Sequence, residues 1–547
     1  MPDFMRSRLI HKFTYYCVAL FLFSGCAVII PPTGGPKDVT PPKVVEYLPD
    51  NKSTHFTGHK IKITFDEYIQ LKSLDKQLIV SPPLKYPPVP FLNGKVLQLT
   101  IKDTLKKNST YTFNFGNSII DNNEGNQLKN FQYIVSTGDH IDSLSITGNM
   151  QDAFTHDPVK NAYVMLYSDE SDSAPFKKLP TYIGLTDDQG NYRIENIAGG
   201  EYRLIGISNV QSDYLYHPYV EGIAFKSKLT EIDGRDTANL NIFYEVEPRL
   251  KLLSSKAVDR GAIMLVFNKP ATNISVKRLN MADSLKPTYT YFNYSSTGDT
   301  AFYWFNTPFI DSLRFVVSAN NKVLDTGFVH SFPNNNIARH VKKPKPTRLK
   351  ITTNIHGGFD YHQPVVFSFA EPVLKYNLNK ILFTLNSDSV KFKADTGGLP
   401  LNLAINPAKT LLSDSTYKLI ILPGAFTDMF GSTNDTIKYK FGVLEPSYFG
   451  SLKLSVVLSM QGNFILELLN DKNAVCKYYR ISGSQTIFFD ALQPGTYRVR
   501  LINDANNNGV WDAGDFLKSV QPEKVYYYPQ SIAIRSNWDL VQSWEVK

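Results

Sequence analysis

The chain has 547 residues, of which 20% are charged and 13% aromatic, and its net charge is +8. This length exceeds what one hydrophobic core supports and suits about four or five domains. The excess of Lys and Arg is spread along the chain without a long basic run, which argues against a nucleic-acid-binding protein. The 31 Tyr and 35 Phe residues favour strands over helices.

The N-terminal segment has the order of a secretory signal. Basic residues come first, residues 13–23 form an apolar stretch too short to span a bilayer, and residues 24–26 supply a small-residue cleavage site. The segment resembles a bacterial lipoprotein signal, which implies that residues 1–25 are removed and that Cys26 carries the lipid anchor. Such signals more often have a smaller aliphatic residue where Phe23 stands, so ordinary secretion and an uncleaved anchor are the alternatives.

Beyond the signal, the sequence pattern is that of strands. Residues 26–38 are rich in Pro and Gly and predict a tether. From residue 39 onward, short alternating runs such as 60–65 and 110–115 are separated by Asn, Asp, Gly, Pro and Ser, which is typical of half-buried strands. Because no amphipathic helix of a dozen residues is evident, the sequence predicts an all-β protein, a linear array of β-sandwich domains.

An internal repeat links two distant parts of the chain. Residues 63–69 match residues 367–373, and each copy later has a Ser-Thr-Tyr triplet, an acidic turn and a last strand. Both copies resemble the bacterial Ig-like family of surface-layer and cell-envelope proteins. The resemblance implies Ig-like domains at 39–140 and 344–447, with a degenerate third copy at 249–343.

A second repeat has a tight Gly turn that leads into a strand. Residues 197–204 match residues 492–499, and the first copy follows an Asx-rich hairpin in which Gly190 suits a left-handed turn position. The copies resemble the transthyretin-like, carboxypeptidase-regulatory-like fold. This implies small seven-stranded sandwiches at 141–248 and 448–547.

The strongest chemical motif is a loop at residues 504–515. Oxygen-bearing side chains, a Gly and a backbone carbonyl fall at the spacing of a calcium loop, although the last position is Asp rather than Glu. The motif predicts a weak structural Ca²⁺ site of the extracellular kind, and the alternative is an Asn-rich turn capped by its own side chains. The candidate ligands are Asp504, Asn506, Asn508, Val510 through its carbonyl, Asp512 and Asp515.

Two aromatic clusters are candidates for ligand contacts. Exposed aromatic side chains on loops stack on sugar rings or anchor a protein partner, whereas alternate residues of a strand fill a sandwich core. Exposure separates these two readings. The candidate residues are Tyr214, Tyr216, Tyr219, Tyr526, Tyr527 and Tyr528.

The sequence predicts no enzyme. None of the ten histidines begins a zinc-peptidase pair, and neither a serine-hydrolase elbow nor a phosphate loop is present. His55 with His59 and His356 with His362 predict solvated loops, and Cys476 is expected to be a buried strand residue. A hydrolase, the least favoured hypothesis, needs histidines and carboxylates that are distant in sequence to converge in one cleft.

The tether indicates where the protein resides. Residues 32–38, followed by Thr-Pro-Pro at 40–42, resemble the tether of Ig-like-domain lipoproteins of Bacteroidota-type bacteria. This resemblance implies attachment to the outer membrane and a binding or scaffold role. We therefore expect a non-enzymatic outer-membrane lipoprotein that scaffolds or docks onto an envelope protein, with glycan binding or adhesion through the Tyr-rich loops as the main alternative. The residues after Cys26 leave both the periplasmic and the cell-surface face open.

Overall fold

The computed structural model describes seven stretches of the chain, which form two compact units, Met1–Ser143 and Leu144–Lys547. The prediction of an all-β fold is confirmed, since many small sheets follow one another as in an array of Ig-like sandwiches. No helix within the described stretches has the length and apolarity to cross a membrane. The predicted signal, Cys26 and most of the predicted tether lie outside the described residues. The described stretches are 37–208, 213–279, 287–306, 312–330, 348–397, 400–413 and 415–547.

The first sandwich forms the first unit. A sheet in the order β1-β2-β6-β5 packs on a sheet in the order β4-β7-β9, and β3 pairs with β8. Alternation along β2 places Ile61 and Ile63 in the core against Phe113 of the other sheet, and none of the three is exposed. The elements are β1 (Val44–Leu48), β2 (Lys60–Phe65), β3 (Ile69–Leu71), α1 (Leu74–Gln77), β4 (Ile79–Ser81), β5 (Val89–Asn93), β6 (Val96–Thr100), β7 (Thr110–Asn114), β8 (Ile119–Asp121) and β9 (Gln132–Ser136).

The second sandwich has a sheet in which β10 lies between β13 and the pair β17 and β18, and a sheet in the order β12-β11-β14-β15 with β16 beside β14. Gly190 has φ +76°, and the carboxylate of Asp187 accepts hydrogen bonds from the backbone N–H groups of Gln189 and Asn191, as the Asx-rich hairpin predicts. The elements are β10 (Leu144–Asp152), β11 (Tyr163–Tyr167), α2 (Ala174–Lys177), β12 (Tyr182–Leu185), β13 (Asn191–Ile197), β14 (Gly200–Ile207), β15 (Ile223–Phe225), β16 (Thr230–Ile232), β17 (Arg235–Thr237) and β18 (Leu240–Ile242).

Both faces of strand β14 are covered. Leu204 and Ile205 are neighbours on this strand and point to opposite faces, yet neither is exposed. Leu204 belongs to the core between the two sheets, whereas Ile205 lies on the other face of its sheet. A sandwich that stands alone exposes that outer face, so other parts of the chain must cover it here.

The third sandwich repeats the sheet order of the first. A sheet in the order β19-β20-β23-β22 packs on a sheet in the order β21-β24-β25, with Ile263 and Leu265 of one sheet and Phe315 of the other in the core. The strands are β19 (Leu252–Asp259), β20 (Ala262–Phe267), β21 (Ile274–Arg278), β22 (Thr290–Tyr294), β23 (Thr300–Phe305), β24 (Ser312–Ala319) and β25 (Lys322–His330).

The fourth sandwich also follows this order. Its sheets are β26-β28-β33-β32 and β27-β36-β34-β30-β31, and β29 pairs with β35 as β3 pairs with β8 in the first sandwich. Two short 3₁₀ turns occur at Leu378–Lys380 and Pro446–Tyr448. The strands are β26 (Ile351–Thr353), β27 (Gly358–Phe359), β28 (Val365–Phe369), β29 (Val373–Tyr376), β30 (Ile381–Leu385), β31 (Asp388–Ser389), β32 (Phe392–Asp395), β33 (Asn402–Pro407), β34 (Thr416–Ile421), β35 (Phe426–Asp428) and β36 (Ile437–Val443).

The fifth sandwich has the sheet order of the second. Strand β37 lies between β40 and β44, and the other sheet runs β39-β38-β41-β42 with β43 beside β41. Strand β44 is parallel to β37, as β17 and β18 are parallel to β10. The strands are β37 (Gly450–Leu458), β38 (Phe464–Leu469), β39 (Val475–Ile481), β40 (Gln485–Leu492), β41 (Gly495–Asn503), β42 (Val525–Tyr527), β43 (Ile532–Ile534) and β44 (Asp539–Val546).

Candidate functional site

The loop between β41 and β42, residues 504–524, connects the fifth sandwich to the second. We call it the clasp loop. It contains the predicted calcium motif in its first half and reaches the second sandwich with its second half. In the second sandwich, residues 208–222 make the corresponding connection, between β14 and β15.

Four of the predicted calcium ligands converge in the clasp loop. Asp504 is 1% exposed, and its two carboxylate oxygens accept hydrogen bonds from the backbone N–H groups of Asn508 and Gly509, both at 2.9 Å. Asp512 Oδ2 accepts hydrogen bonds from the side-chain amides of Asn506 and Asn508, each at 2.6 Å. These contacts bring two carboxylates and two amides to one place, and such oxygen-bearing groups suit a hard cation.

Two other predicted ligands differ in placement. Asp515 has a different partner, because its carboxylate accepts hydrogen bonds from the backbone N–H of Lys518 at 3.0 Å and from Lys518 Nζ at 2.6 Å. These bonds hold the pKa of Asp515 below its usual range. Val510 has a side chain that is 58% exposed, and its N–H donates to Asn508 Oδ1.

Glu523 is a carboxylate of the loop that the motif misses. It accepts hydrogen bonds from the backbone N–H groups of Ala505 at 2.7 Å and Asp512 at 3.1 Å. Burial, together with the charges of Asp512 and Asp504, raises the pKa of Glu523. Because Glu523 lies beyond the twelve-residue motif, the spacing of the motif did not predict its role. Among the described residues, no group of three or more His, Cys, Asp or Glu is placed to hold a metal ion, so a cation here depends on amide and backbone oxygens.

Phe516 inserts into the outer face of the second sandwich. Its side chain is 2% exposed, and its ring centroid lies 5.2 Å from that of Phe225, 5.9 Å from that of Phe176 and 6.3 Å from that of Tyr216. The backbone N–H of Phe516 donates to Glu245 Oε1 at 2.6 Å. We call these four partners in the second sandwich the Phe516 slot.

Tyr216 and Glu245 complete this slot with a buried polar contact. Tyr216 is 2% exposed, and its hydroxyl donates to Glu245 Oε2 at 2.7 Å. Burial first, and then the contact with Glu245, raises the pKa of Tyr216 far above its usual value. Glu245 therefore uses one oxygen within the slot and the other to receive the clasp loop.

A second contact lies on the outer face of β38, β41 and β42. Phe154 of the second sandwich packs on Trp511 with ring centroids 5.0 Å apart, and the Arg500 guanidinium lies 4.3 Å from the centre of the Phe154 ring. Glu467 accepts a hydrogen bond from Arg500 Nε at 2.8 Å, which orients the guanidinium. The hydroxyl of Tyr527 donates to the Phe154 carbonyl oxygen at 3.0 Å. Aromatic stacking, a cation–π contact and a hydrogen bond thus hold the two sandwiches together.

Most of the Tyr candidates are packed within the protein. Tyr216 is buried in the slot, Tyr527 contacts the second sandwich, and Tyr528 donates its hydroxyl to Gln542 at 3.0 Å. Tyr214 packs on Tyr163 and Tyr526 contacts Met460, so both are partly covered. Tyr219, at 46%, is the member of the set with a large exposed side chain.

Cys476 is exposed, so the expectation that it is buried was wrong. It lies on β39, at the edge of its sheet, where an alternate residue can point away from the core. It contributes to a cavity of about 450 Å³ whose lining includes Asp360, Lys477 and Tyr497 but, within the described part of the chain, no histidine. Partial burial raises the pKa of Cys476, which is the opposite of what a thiolate nucleophile needs.

One histidine of each predicted pair lies beside an aspartate. His55 lies 3.5 Å from Asp139, and His362 lies 2.9 Å from Asp360, each in a loop of a different sandwich. In the described part of the chain, neither histidine belongs to a group of three or more His, Cys, Asp or Glu that could hold a metal ion.

Comparisons with known proteins bear on the first sandwich and on the fold. Residues 38–137 match the bacterial Ig-like domain family, and no curated protein matches the chain. The structure of the N-terminal part of the bacterial surface-layer protein SbsC is 14% identical over 28% of this chain and 40% of that chain, with a TM-score of 0.16. The major pilin subunit BcpA of Bacillus cereus is 11% identical over 73% of this chain and 98% of that one, with a TM-score of 0.14.

The Escherichia coli adhesin FdeC is 9% identical over 56% of this chain and 99% of that chain, with a TM-score of 0.14. Likenesses this distant leave the function open. The family match is different in kind, because it rests on the sequence and covers every strand from β1 to β9. The first sandwich therefore matches the bacterial Ig-like domain family.

Proposed function

We propose that this protein is a non-catalytic scaffold of the bacterial cell envelope, anchored in the outer membrane by a lipid on Cys26. The observation that carries this proposal is the clasp loop, which joins the second and fifth sandwiches across two intervening ones. Contacts between modules that are adjacent in sequence leave relative motion as the default, whereas a buried contact between distant modules restrains it. A restrained set of lateral surfaces suits the docking of an envelope protein.

Calcium is a proposed structural ligand of this scaffold. Asp504, Asn506, Asn508 and Asp512 would bind it together with the Val510 carbonyl, and Asp515 would not. An ion at this position would stiffen the loop that presents Trp511 and Phe516 to the second sandwich. The two Asn side-chain amides that meet on Asp512, and the backbone N–H groups of the same loop that meet on Asp504, support this assignment.

The scaffold proposal is tested with the acylated full-length protein. The protein is purified from native outer membranes in mild detergent with a Cys26→Ser control, and proteins that co-purify are identified. We expect a stoichiometric membrane-protein partner that is lost with the control. Purification of the acylated protein alone would contradict the docking role.

Glycan binding is the second candidate function, and Tyr219 is the residue that favours it. Its exposed ring, next to Val220 at 65% exposure, offers an apolar platform on a loop. Glycan arrays with the wild-type protein and Tyr219→Ala test this function. Binding that is lost in the variant would support it, and an array without signal would argue against it.

A further inference from the structure

The third and fourth sandwiches meet through two turns. The turn between β19 and β20, residues 259–261, packs on residues 428–431 after β35, and the Arg260 guanidinium stacks 4.0 Å from the centre of the Phe430 ring. Ala262, Trp304 and Met429 form a small buried cluster beside this stack. We call this contact the third–fourth junction.

Two carboxylate oxygens are buried at this junction without a hydrogen bond from any described residue. They are Glu371 Oε2 and Asp428 Oδ2. Asp428 is 2% exposed, and its other oxygen accepts hydrogen bonds from the N–H groups of Phe430 at 2.8 Å and Ser432 at 2.7 Å. Asp428 Oδ2 has only the more distant Arg260 Nη2, at 3.8 Å. Buried acceptors without a donor are costly, so these two oxygens require an explanation.

The buried position of Glu371 and the charges around it favour the protonated form of its carboxyl group. Asp428 and Asp259 face it as negative groups, and Arg260 and Lys350 face it as positive groups. Burial first, and then the two aspartates, raises the pKa of Glu371 to about 7 against the opposing effect of Arg260 and Lys350. A protonated Glu371 carboxyl carries less charge into the junction, and its O–H is a hydrogen-bond donor that the ionised form does not have.

The corresponding turn of the first sandwich satisfies both carboxylate oxygens of its aspartate. Asp121 stands where Asp428 stands, and its two oxygens accept four hydrogen bonds from the backbone of its own turn, including one from Asn126 N–H to Oδ2 at 2.7 Å. The shorter turn after Asp428 leaves Oδ2 without such a bond. The missing bond is therefore specific to the copy that packs against the third sandwich.

We propose that the third–fourth junction is a proton-sensitive contact, closed while Glu371 holds a proton and loosened when that proton is released to solvent. Because the closed state binds this proton more tightly than the open state, closure is most stable below the ordinary pKa near 4.5. Its stability falls as the pH rises toward about 7 and is level above that value. One proton changes the closing equilibrium by at most about tenfold per pH unit.

Hydrogen exchange of the full chain tests this proposal. Exchange of peptides that contain residues 259–262 and 428–432 is followed from pH 5 to 8.5, with exposure times scaled to the intrinsic exchange rate. We expect protection in both peptides to fall by tenfold or more across this range, while peptides of strand β11 in the second sandwich stay unchanged. Glu371→Gln, which keeps the shape and removes the titration, should abolish the fall. Glu445→Gln, at an exposed position after the last strand of the fourth sandwich, should retain it.

Two results would overturn the proposal: wild-type protection that does not depend on pH, or a pH dependence that persists in Glu371→Gln. If Glu371→Gln does not fold, Asp259→Asn decides the question. Removing a negative charge beside Glu371 lowers its pKa in the closed state, so the fall in protection should be smaller and should level off at lower pH. An unchanged midpoint in Asp259→Asn would also reject the proton-sensitive junction.

Discussion

Single side chains decide how the sandwiches are joined. Phe516 is an apolar side chain that the clasp loop buries in the second sandwich, and its neighbour Leu517 is 63% exposed. The neighbours differ because the backbone N–H of Phe516 is fixed on Glu245, which directs one side chain into the slot and the next to solvent. Phe516 and Leu517 therefore form a matched pair for mutation.

Phe516→Ala should weaken the contact between the second and fifth sandwiches by about 3–5 kcal/mol, the usual cost of removing a buried Phe side chain. The measurement is hydrogen exchange of peptides around Phe176, Tyr216 and Phe225, whose protection should drop. Leu517→Ala serves as the control and should leave these peptides unchanged. Equal effects of both substitutions would show that the slot does not hold the loop.

At the scale of elements, the strands and turns followed from local pattern, and the contacts between modules did not. Alternation in residues 60–65 predicted β2, and the Asx-Gly pattern before Tyr192 predicted the hairpin that the structure contains. Cys476 was misjudged because alternation does not reveal which strand lies at a sheet edge. Phe516 carries no sequence signal, since its burial depends on a sandwich almost 300 residues earlier in the chain.

The calcium loop illustrates the same limit. Spacing predicted six ligands, and the structure brings four of their side chains together while Lys518 engages Asp515. Sequence spacing alone does not predict that Lys518 binds the carboxylate of Asp515, the last position of the motif. Glu523 lies beyond the last position of the motif, yet it accepts hydrogen bonds from the backbone of the motif.

Asp512→Asn should therefore abolish calcium binding, whereas Asp515→Asn should leave it nearly unchanged. Asp512 contributes a charge at the point where both Asn amides meet, whereas the Asp515 carboxylate is bonded to Lys518. Isothermal titration calorimetry with CaCl₂ on the metal-free proteins measures both affinities. Loss of binding in Asp515→Asn alone would favour the twelve-residue motif over the observed geometry.

At the scale of the whole molecule, the sheet orders are of two kinds, one shared by the first, third and fourth sandwiches and the other by the second and fifth. The third sandwich, in which the repeat is weakest, has the four-stranded and three-stranded sheets of the first. The proposed boundary at residue 343 lies outside the described residues and stays a prediction. Pattern alone could not reveal that the second and fifth sandwiches touch, because each sandwich has a complete core of its own.

Removing both anchors of the clasp loop, with Trp511→Ala and Phe516→Ala together, should expand the protein without unfolding any sandwich. The aromatic contacts of the loop with the second sandwich are removed, which weakens the restraint between the distant modules, while the five cores are unchanged. Small-angle scattering should show a larger radius of gyration, and circular dichroism should show the β content of the wild type. A radius equal to that of the wild type would mean that other contacts hold the modules in place.

The meeting of the two loops has a consequence for assembly. Tyr216 and Phe516 lie in corresponding connections of two copies of one sheet order, and their rings are in contact. Equivalent surfaces of two copies face each other in this way in a two-fold dimer, where the contact closes on itself. Here both copies belong to one chain, so the surfaces around Tyr216 and Phe516 are already covered within the molecule. A head-to-tail contact could continue into a filament, whereas this one ends within a single molecule.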